Sequence, residues 1–210
     1  MSGSPLLRQM PAFERNLAKL WRARTDADTL DGLAWYPKAH KLVCEWSEYF
    51  GLPIATVACI VSALSPQCEW SLNLIAADDV LHDRALSAYG PLPANVRKAR
   101  AILRDKGVTT VPYFPYGPKV ATFAVNLAGN YEVATIDTHA LQAAFSDVTV
   151  VRSLHWTAYS IVSQAYVNAA HRVDVEPACF QAVLWHTWKR LYPRVSKIQC
   201  RTQWHTIGEF

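Results

Sequence analysis

The sequence predicts an all-α protein, and three observations carry that reading. Apolar residues recur at three- and four-residue intervals in one segment after another. Strand-like runs are confined to VTTVPYF (108–114) and EVATID (132–137), which suit extended connectors and are too few for a sheet. Gly51, Leu52 and Pro53 punctuate two of the periodic segments: glycine serves a helix C-terminus and proline tolerates a first helical turn.

The elements follow in order. FERNLAKLWRAR (13–24), YPKAHKLVCEWSEYF (36–50), PIATVACIVSALS (53–65) and EWSLNLIAADDVLHDRAL (69–86) form the first four helices. NVRKARAILRDKG (95–107) forms the next, followed by a Pro/Tyr-rich loop, TTVPYFPYGP (109–118), and a helix through VATFAVNLAG. DTHALQAAF (137–145), HWTAYSIVSQAYVNAAHR (155–172) and EPACFQAVLWHTWKRLY (176–192) complete the set. Only the stretch YGPLP (89–93) suggests a boundary between lobes.

A chain of 210 residues, 51% hydrophobic and 18% charged, has the material for one core, or for two small lobes, and lacks the composition of a disordered protein. Its net charge of +4 permits a polyanionic partner without the dense Lys/Arg runs of purely electrostatic nucleic-acid binders. Five cysteines, at 44, 59, 68, 179 and 200, form no C-x-x-C pair, which argues against a disulfide framework, a zinc site or an iron-sulfur cluster and favours a reducing cytoplasm. No segment has the roughly 20 apolar residues of a membrane helix.

The stretch YGPKVATFAVNLAGNYEVATIDTHA (116–140) holds the chemistry. Gly117 suits an N-cap, Pro118 the first helical position and Lys119 the first turn, beside backbone N–H groups without intrahelical partners. Such an end attracts phosphate, disfavours an ammonium, and favours the free amine as a nucleophile. Gly129 would end this helix after a rise of about 16 Å, and the connector can span about 20 Å, enough for the chain to return. A fold-back would set Asp137 near Lys119, at the start of the next helix.

The turn, G-P-K, an apolar helix, Gly, a short connector and I-D-T-H together resemble the helix-hairpin-helix (Gly/Pro-Asp) superfamily of DNA glycosylases. The resemblance covers roughly residues 50–147. It implies a two-lobed helix-hairpin-helix glycosylase-like fold without an iron-sulfur cluster, occupying residues 1–210 as one domain, with a hairpin lobe over about 53–147. Lys119 and Asp137 match the catalytic pair of bifunctional members. Within SALSPQCEWSLNLIAADDVL (62–81), Gln67 matches the residue that fills the gap left by an extruded base. PYFPYGPK departs from the usual Leu-Pro-Gly-x-Gly turn by placing Pro115 where the first glycine belongs. GLAWYPKAH, SALSPQ and FQAVLWHTWKR resemble a group of phage-encoded proteins, which implies a viral variant acting in host cytoplasm.

The expected activity is extrusion of a damaged or modified base and cleavage of its N-glycosidic bond, with AP lyase chemistry where Lys119 forms a Schiff base. Asp137 would stabilise positive charge on the sugar. Tyr116, Gly117, Gln67, Arg97, Arg100 and Arg104 would meet DNA, the three arginines sharing one helix face. Tyr113, Phe114, His139 and Trp70 would wall the base site. DNA is the expected partner; no obligate protein partner, membrane, metal or cofactor is implied beyond a monovalent cation at the hairpin. Each residue also has a plainer role: Asp137 as a cap, Lys119 as a solvated charge, His139 as a structural histidine, the aromatics as packing. Two other functions stay open: modification of a pyrimidine substituent within DNA, and DNA binding without catalysis.

Overall fold

The structure, a computed structural model, describes residues 5–105, 117–150 and 154–193. Among these it contains nine α-helices and no strand: α1 (Pro5–Arg22), α2 (Asp26–Phe50), α3 (Ile54–Leu64), α4 (Trp70–Leu81), α5 (Pro93–Arg104), α6 (Pro118–Leu127), α7 (Thr138–Phe145), α8 (Trp156–His171) and α9 (Pro177–Leu191). The chain is all-α, and every helix placed by apolar periodicity is present. Residues 132–137 are irregular, and 108–114 lie outside the described residues. Among the described residues no single helix is long and apolar enough to cross a membrane.

Helix α2 begins at Asp26 rather than near residue 36, because its start is written in a local cap. The Asp28 backbone nitrogen donates to Thr25 Oγ1 (3.1 Å), and the Thr25 nitrogen donates to Asp28 Oδ2 (2.9 Å), a reciprocal capping box. The same carboxylate receives Arg190 Nε and Nη2 from α9 at 2.9 and 2.8 Å. Burial pushes the Asp28 carboxyl up, but the bonds from Arg190 and Thr25 outweigh it and hold the group below its ordinary range. Further along α2, Pro37 has no N–H to offer the Leu33 carbonyl. The Cys179 Sγ lies 3.9 Å from that oxygen and 3.6 Å from Glu176 Oε2, so its single hydrogen has two acceptors within reach.

The chain divides into two compact units, one from Met1–Trp35 with Ala134–Phe210, the other Tyr36–Val133. One division falls inside α2, next to Pro37. Residues 89–93 therefore lie within a unit, and α7, grouped with the hairpin by the sequence reading, packs with α1 and α9.

In the Tyr36–Val133 unit, α3 is the centre. Every residue from Thr56 to Leu64 is buried, since its apolar residues encircle the helix and leave no polar face for water. Helices α4, α5 and α6 pack around it. Two bonds key it in place: Ser62 Oγ donates to the Val120 carbonyl (2.6 Å) and Asn73 Nδ2 to the Val61 carbonyl (3.2 Å). The loop after α4 is tied down by Asp79, which is wholly buried and accepts from Ser87 N and Oγ, both at 2.7 Å, and from Arg84 Nε at 2.6 Å. The Ser87 backbone bond first, and the Arg84 bond next, pull this carboxyl down to about 2.

In the other unit, Phe13, Leu17, Leu141, Tyr166, Phe180, Leu184 and Trp188 form one core with the small residues of α7 and α8. Each fully buried side chain of this size contributes about 1.5–3 kcal/mol. Helix α9 approaches α2 so closely at Gly32 that a Cβ there would stand 2.5 Å from the Val183 nitrogen. Only glycine fits.

Candidate functional site

The stretch read as a hairpin helix starts as its sequence dictates. Gly117 is the N-cap of α6 with φ +88°, a conformation that favours glycine, and Pro118 occupies the first helical turn. Lys119 follows, half-buried, with its carbonyl accepting from Thr122 Oγ1 at 3.2 Å. The helix ends in a Schellman motif: Asn130 N donates to the Val125 carbonyl (3.2 Å) and Gly129 N to the Asn126 carbonyl (3.0 Å), with Gly129 at φ +97°. Buried Asn126 then clamps the exit, its amide donating to the carbonyls of Asn130 and Val133, both at 2.9 Å.

Asp137 lies in the unit completed by the C-terminal helices. It is the N-cap of α7, as its position before Thr-His suggested, and its Oδ1 accepts from Ala140 N at 2.7 Å. Its Oδ2 accepts from the Trp185 indole nitrogen of α9 at 3.2 Å. Each oxygen thus holds one fixed donor and keeps a second acceptor site.

The backbone around Asp137 is held by a single face of α8. Tyr159, Ser163 and Tyr166 are spaced by four and three residues, so their side chains share that face. The Tyr159 hydroxyl accepts from Ile136 N (2.8 Å), Ser163 Oγ donates to the Ala134 carbonyl (3.0 Å), and the Tyr166 hydroxyl donates to the Ala140 carbonyl (2.8 Å). Burial, with the neighbouring Asp137 charge adding to it, pushes the Tyr166 phenol well above its ordinary range and keeps it a donor.

Aromatic groups flank the carboxylate. The Trp185 ring meets His139 edge-on at 6.3 Å and carries the Lys189 ammonium 3.9 Å from its centre. Gln142 Oε1 accepts from Trp188 Nε1 (3.3 Å), while its amide donates to the Val148 carbonyl (2.8 Å), which fixes the amide's orientation. His139 Nδ1, 3.4 Å from the same Oε1, must therefore donate, leaving Nε2 of the neutral ring as an acceptor. A carboxylate, an imidazole and an indole face converge here. That set can stabilise positive charge and stack a planar ring.

The remaining residues singled out by the sequence fall as follows. Gln67 is exposed in the turn between α3 and α4 with a left-handed φ of +60°, and Asn95 Nδ2 ties the preceding Pro66 carbonyl at 3.4 Å. Trp70 is half-buried and meets Phe123 of α6 edge-on at 6.3 Å. Arg97 and Arg104 are exposed on α5, whereas Arg100 is committed to Asp83 (2.9 Å) and to the Arg84 carbonyl. Tyr113, Phe114 and Tyr116 lie outside the described residues. Lys119 and Asp137 belong to different units. The sequence singles out neither Trp185, which is 48 residues from Asp137, nor the Tyr159, Ser163 and Tyr166 face, whose four-three spacing is the one available signal.

Fold and site define an all-helical protein built around a carboxylate-capped helix with an aromatic surround. Residues 6–191 match a family of unknown function (DUF7178), and the chain belongs to it. No curated protein and no solved structure matches.

Proposed function

We propose that the protein is a DNA glycosylase-like enzyme of helix-hairpin-helix type, which extrudes a damaged or modified base and cleaves its N-glycosidic bond. The observation that carries this reading is Asp137, a carboxylate held at a helix N-cap by a backbone N–H and an indole N–H, and preceded in the chain by a Gly-Pro-Lys helix start. In this reading Asp137 stabilises the positive charge that develops on the sugar as the base departs. The Lys119 amine attacks the anomeric carbon as the C–N bond to the base breaks, the base leaving with the electron pair and taking up the proton that the amine gives up; the resulting glycosylamine then opens at its C1′–O4′ bond, O4′ leaving as a hydroxyl, to give the Schiff base from which β-elimination nicks the strand. Flipping is required because both the sugar carbon and the base edge are shielded in stacked duplex. Gln67, at an exposed left-handed turn, takes the place of the extruded base, and Arg97 and Arg104 meet backbone phosphates. Trp185 and His139 supply flat faces for the base.

Borohydride trapping on phage genomic DNA, and on oligonucleotides carrying uracil, oxidised and hydroxymethylated pyrimidines or abasic sites, tests the reading. A covalent adduct is expected, lost in Lys119→Gln, with free base detected by mass spectrometry. Absence of both adduct and released base overturns excision on these substrates; an altered base still within DNA would instead mark a base-modifying enzyme.

A further inference from the structure

Lys189 lies one helical turn beyond Trp185 on α9 and has no part in the reaction as described so far. It is half-buried, with its ammonium 3.9 Å from the centre of the Trp185 ring. Among the described residues it makes no ion pair. The adjacent Arg190 differs, since its guanidinium is committed to Asp28 and to the Ala23 carbonyl. The indole under Lys189 donates its N–H to Asp137 Oδ2 at 3.2 Å and meets His139 edge-on at 6.3 Å. One ring therefore holds a carboxylate at its edge and an ammonium without a counter-ion over its face.

Cleavage of an N-glycosidic bond separates charge in one direction. The sugar becomes positive, and the base, leaving with the electron pair, becomes negative. A site that meets only the sugar's charge answers half of that transition state. With the sugar at Asp137 and the base on the Trp185 ring, Lys189 stands on the side where negative charge collects. An ammonium is a donor only and rides a flexible four-carbon stem. A base that stacks on the indole can take the ring face from it while the ammonium swings to the base's carbonyl edge, exchanging a cation–π contact for a charge-assisted hydrogen bond. His139 Nε2, an acceptor in the neutral ring, cannot supply that bond.

We infer, resting on the excision reading above, that Lys189 is a catalytic residue for departure of the base. Its ammonium donates to the oxygen beside the breaking bond, O2 of a pyrimidine, as negative charge gathers there. The C–N bond breaks, the electron pair leaves with the base, and Lys189 keeps its proton; the base is neutralised by the proton that the Lys119 amine gives up. Lys189 thus acts on the leaving group, Asp137 on the sugar and Lys119 on the anomeric carbon. Such help is greatest for bases whose anions are least stable, so the site suits poor leaving groups such as thymine.

The test is single-turnover excision by the full chain from duplex oligonucleotides carrying 5-fluorouracil, uracil or thymine, three bases in decreasing order of N1 acidity. Lys189→Gln should lose about threefold on 5-fluorouracil and about a hundredfold on thymine, with uracil between. Lys189→Arg, which keeps the charge, should hold the native dependence on leaving group. An equal loss on all three bases would be that of a merely structural or binding residue and overturns the inference, as does a Lys189→Gln protein that excises at the native rates. Should Lys189→Gln fail to fold, Lys189→Met, which keeps the apolar stem against Trp185, decides by the same comparison. A native protein that releases none of the three bases removes the excision reading, and the inference falls with it.

Discussion

Asp137 and Trp185, on α7 and α9, are joined by an indole-to-carboxylate bond of 3.2 Å. The other carboxylate oxygen caps α7 through Ala140. The two bonds fix both the position and the rotation of the group. They also separate its structural role from its proposed chemical one.

Asp137→Asn should keep the cap to Ala140 through its one amide oxygen, but it sets an NH2 against the Trp185 N–H in place of an acceptor, so urea-measured stability should fall by about 1 kcal/mol. Base excision should fall by two orders of magnitude or more with the loss of the charge. Asp137→Ala should lose the cap as well as the acceptor for Trp185, and cost about 2 kcal/mol of stability. An Asn variant with native excision would return Asp137 to a purely capping role.

Trp185→Phe keeps an aromatic face but removes the N–H. Excision should drop at least several-fold while stability falls by about 1 kcal/mol, the typical net value of one such bond. Single-turnover kinetics with calorimetry on the same preparation checks both.

Gly32→Ala should be among the most damaging small substitutions, costing about 2–3 kcal/mol, since its Cβ would collide with the Val183 backbone, which cannot rotate away. Chemical denaturation measures it. A loss under 0.5 kcal/mol would mean that α9 can shift freely.

Acid should loosen the loop after α4. The Asp79 carboxyl is depressed from 3.8 to about 2 in the folded chain, so its stabilisation is fully present above the unfolded value and is lost as pH falls from roughly 4 towards 2. Asp79→Asn should flatten that part of the stability–pH curve and cost on the order of 2 kcal/mol at neutral pH. Stability followed between pH 5 and about 2 in both proteins shows the difference.

Arginines on α5 should divide by role. Arg97→Gln and Arg104→Gln should each lower the salt dependence of DNA binding by about one unit in the log–log slope. Arg100→Gln should leave that slope unchanged and reduce stability by less than about 1 kcal/mol, since its partner Asp83 is solvent-exposed. Filter binding across a salt series distinguishes them.

Local chemistry was legible in the sequence, and distant pairing was not. Gly117, Pro118 and Gly129 announce the start and end of α6 because caps depend on residues within one turn. Asp137 reads as an N-cap for the same reason. The Thr25–Asp28 capping box is equally local, but it lies upstream of the apolar run, so periodicity alone places the start of α2 too late. Trp185 is 48 residues from Asp137, and no periodicity encodes which indole will face which carboxylate. Arg100 shares a face with Arg97 and Arg104, yet its partner Asp83 comes from another segment. Spacing reveals a face; it does not reveal what covers it.

The grip of α8 on residues 134–140 sets a limit on how the chain can be cut. A fragment ending at residue 150 would still carry Gly117, Lys119 and Asp137, and by motif alone it would look sufficient. It would lack the Tyr159 and Tyr166 hydroxyls, Ser163 and the Trp185 indole, all of which reach back to that segment. The smallest piece bearing the motif is therefore smaller than the smallest piece able to hold it, and a working minimal gene must run on through α9.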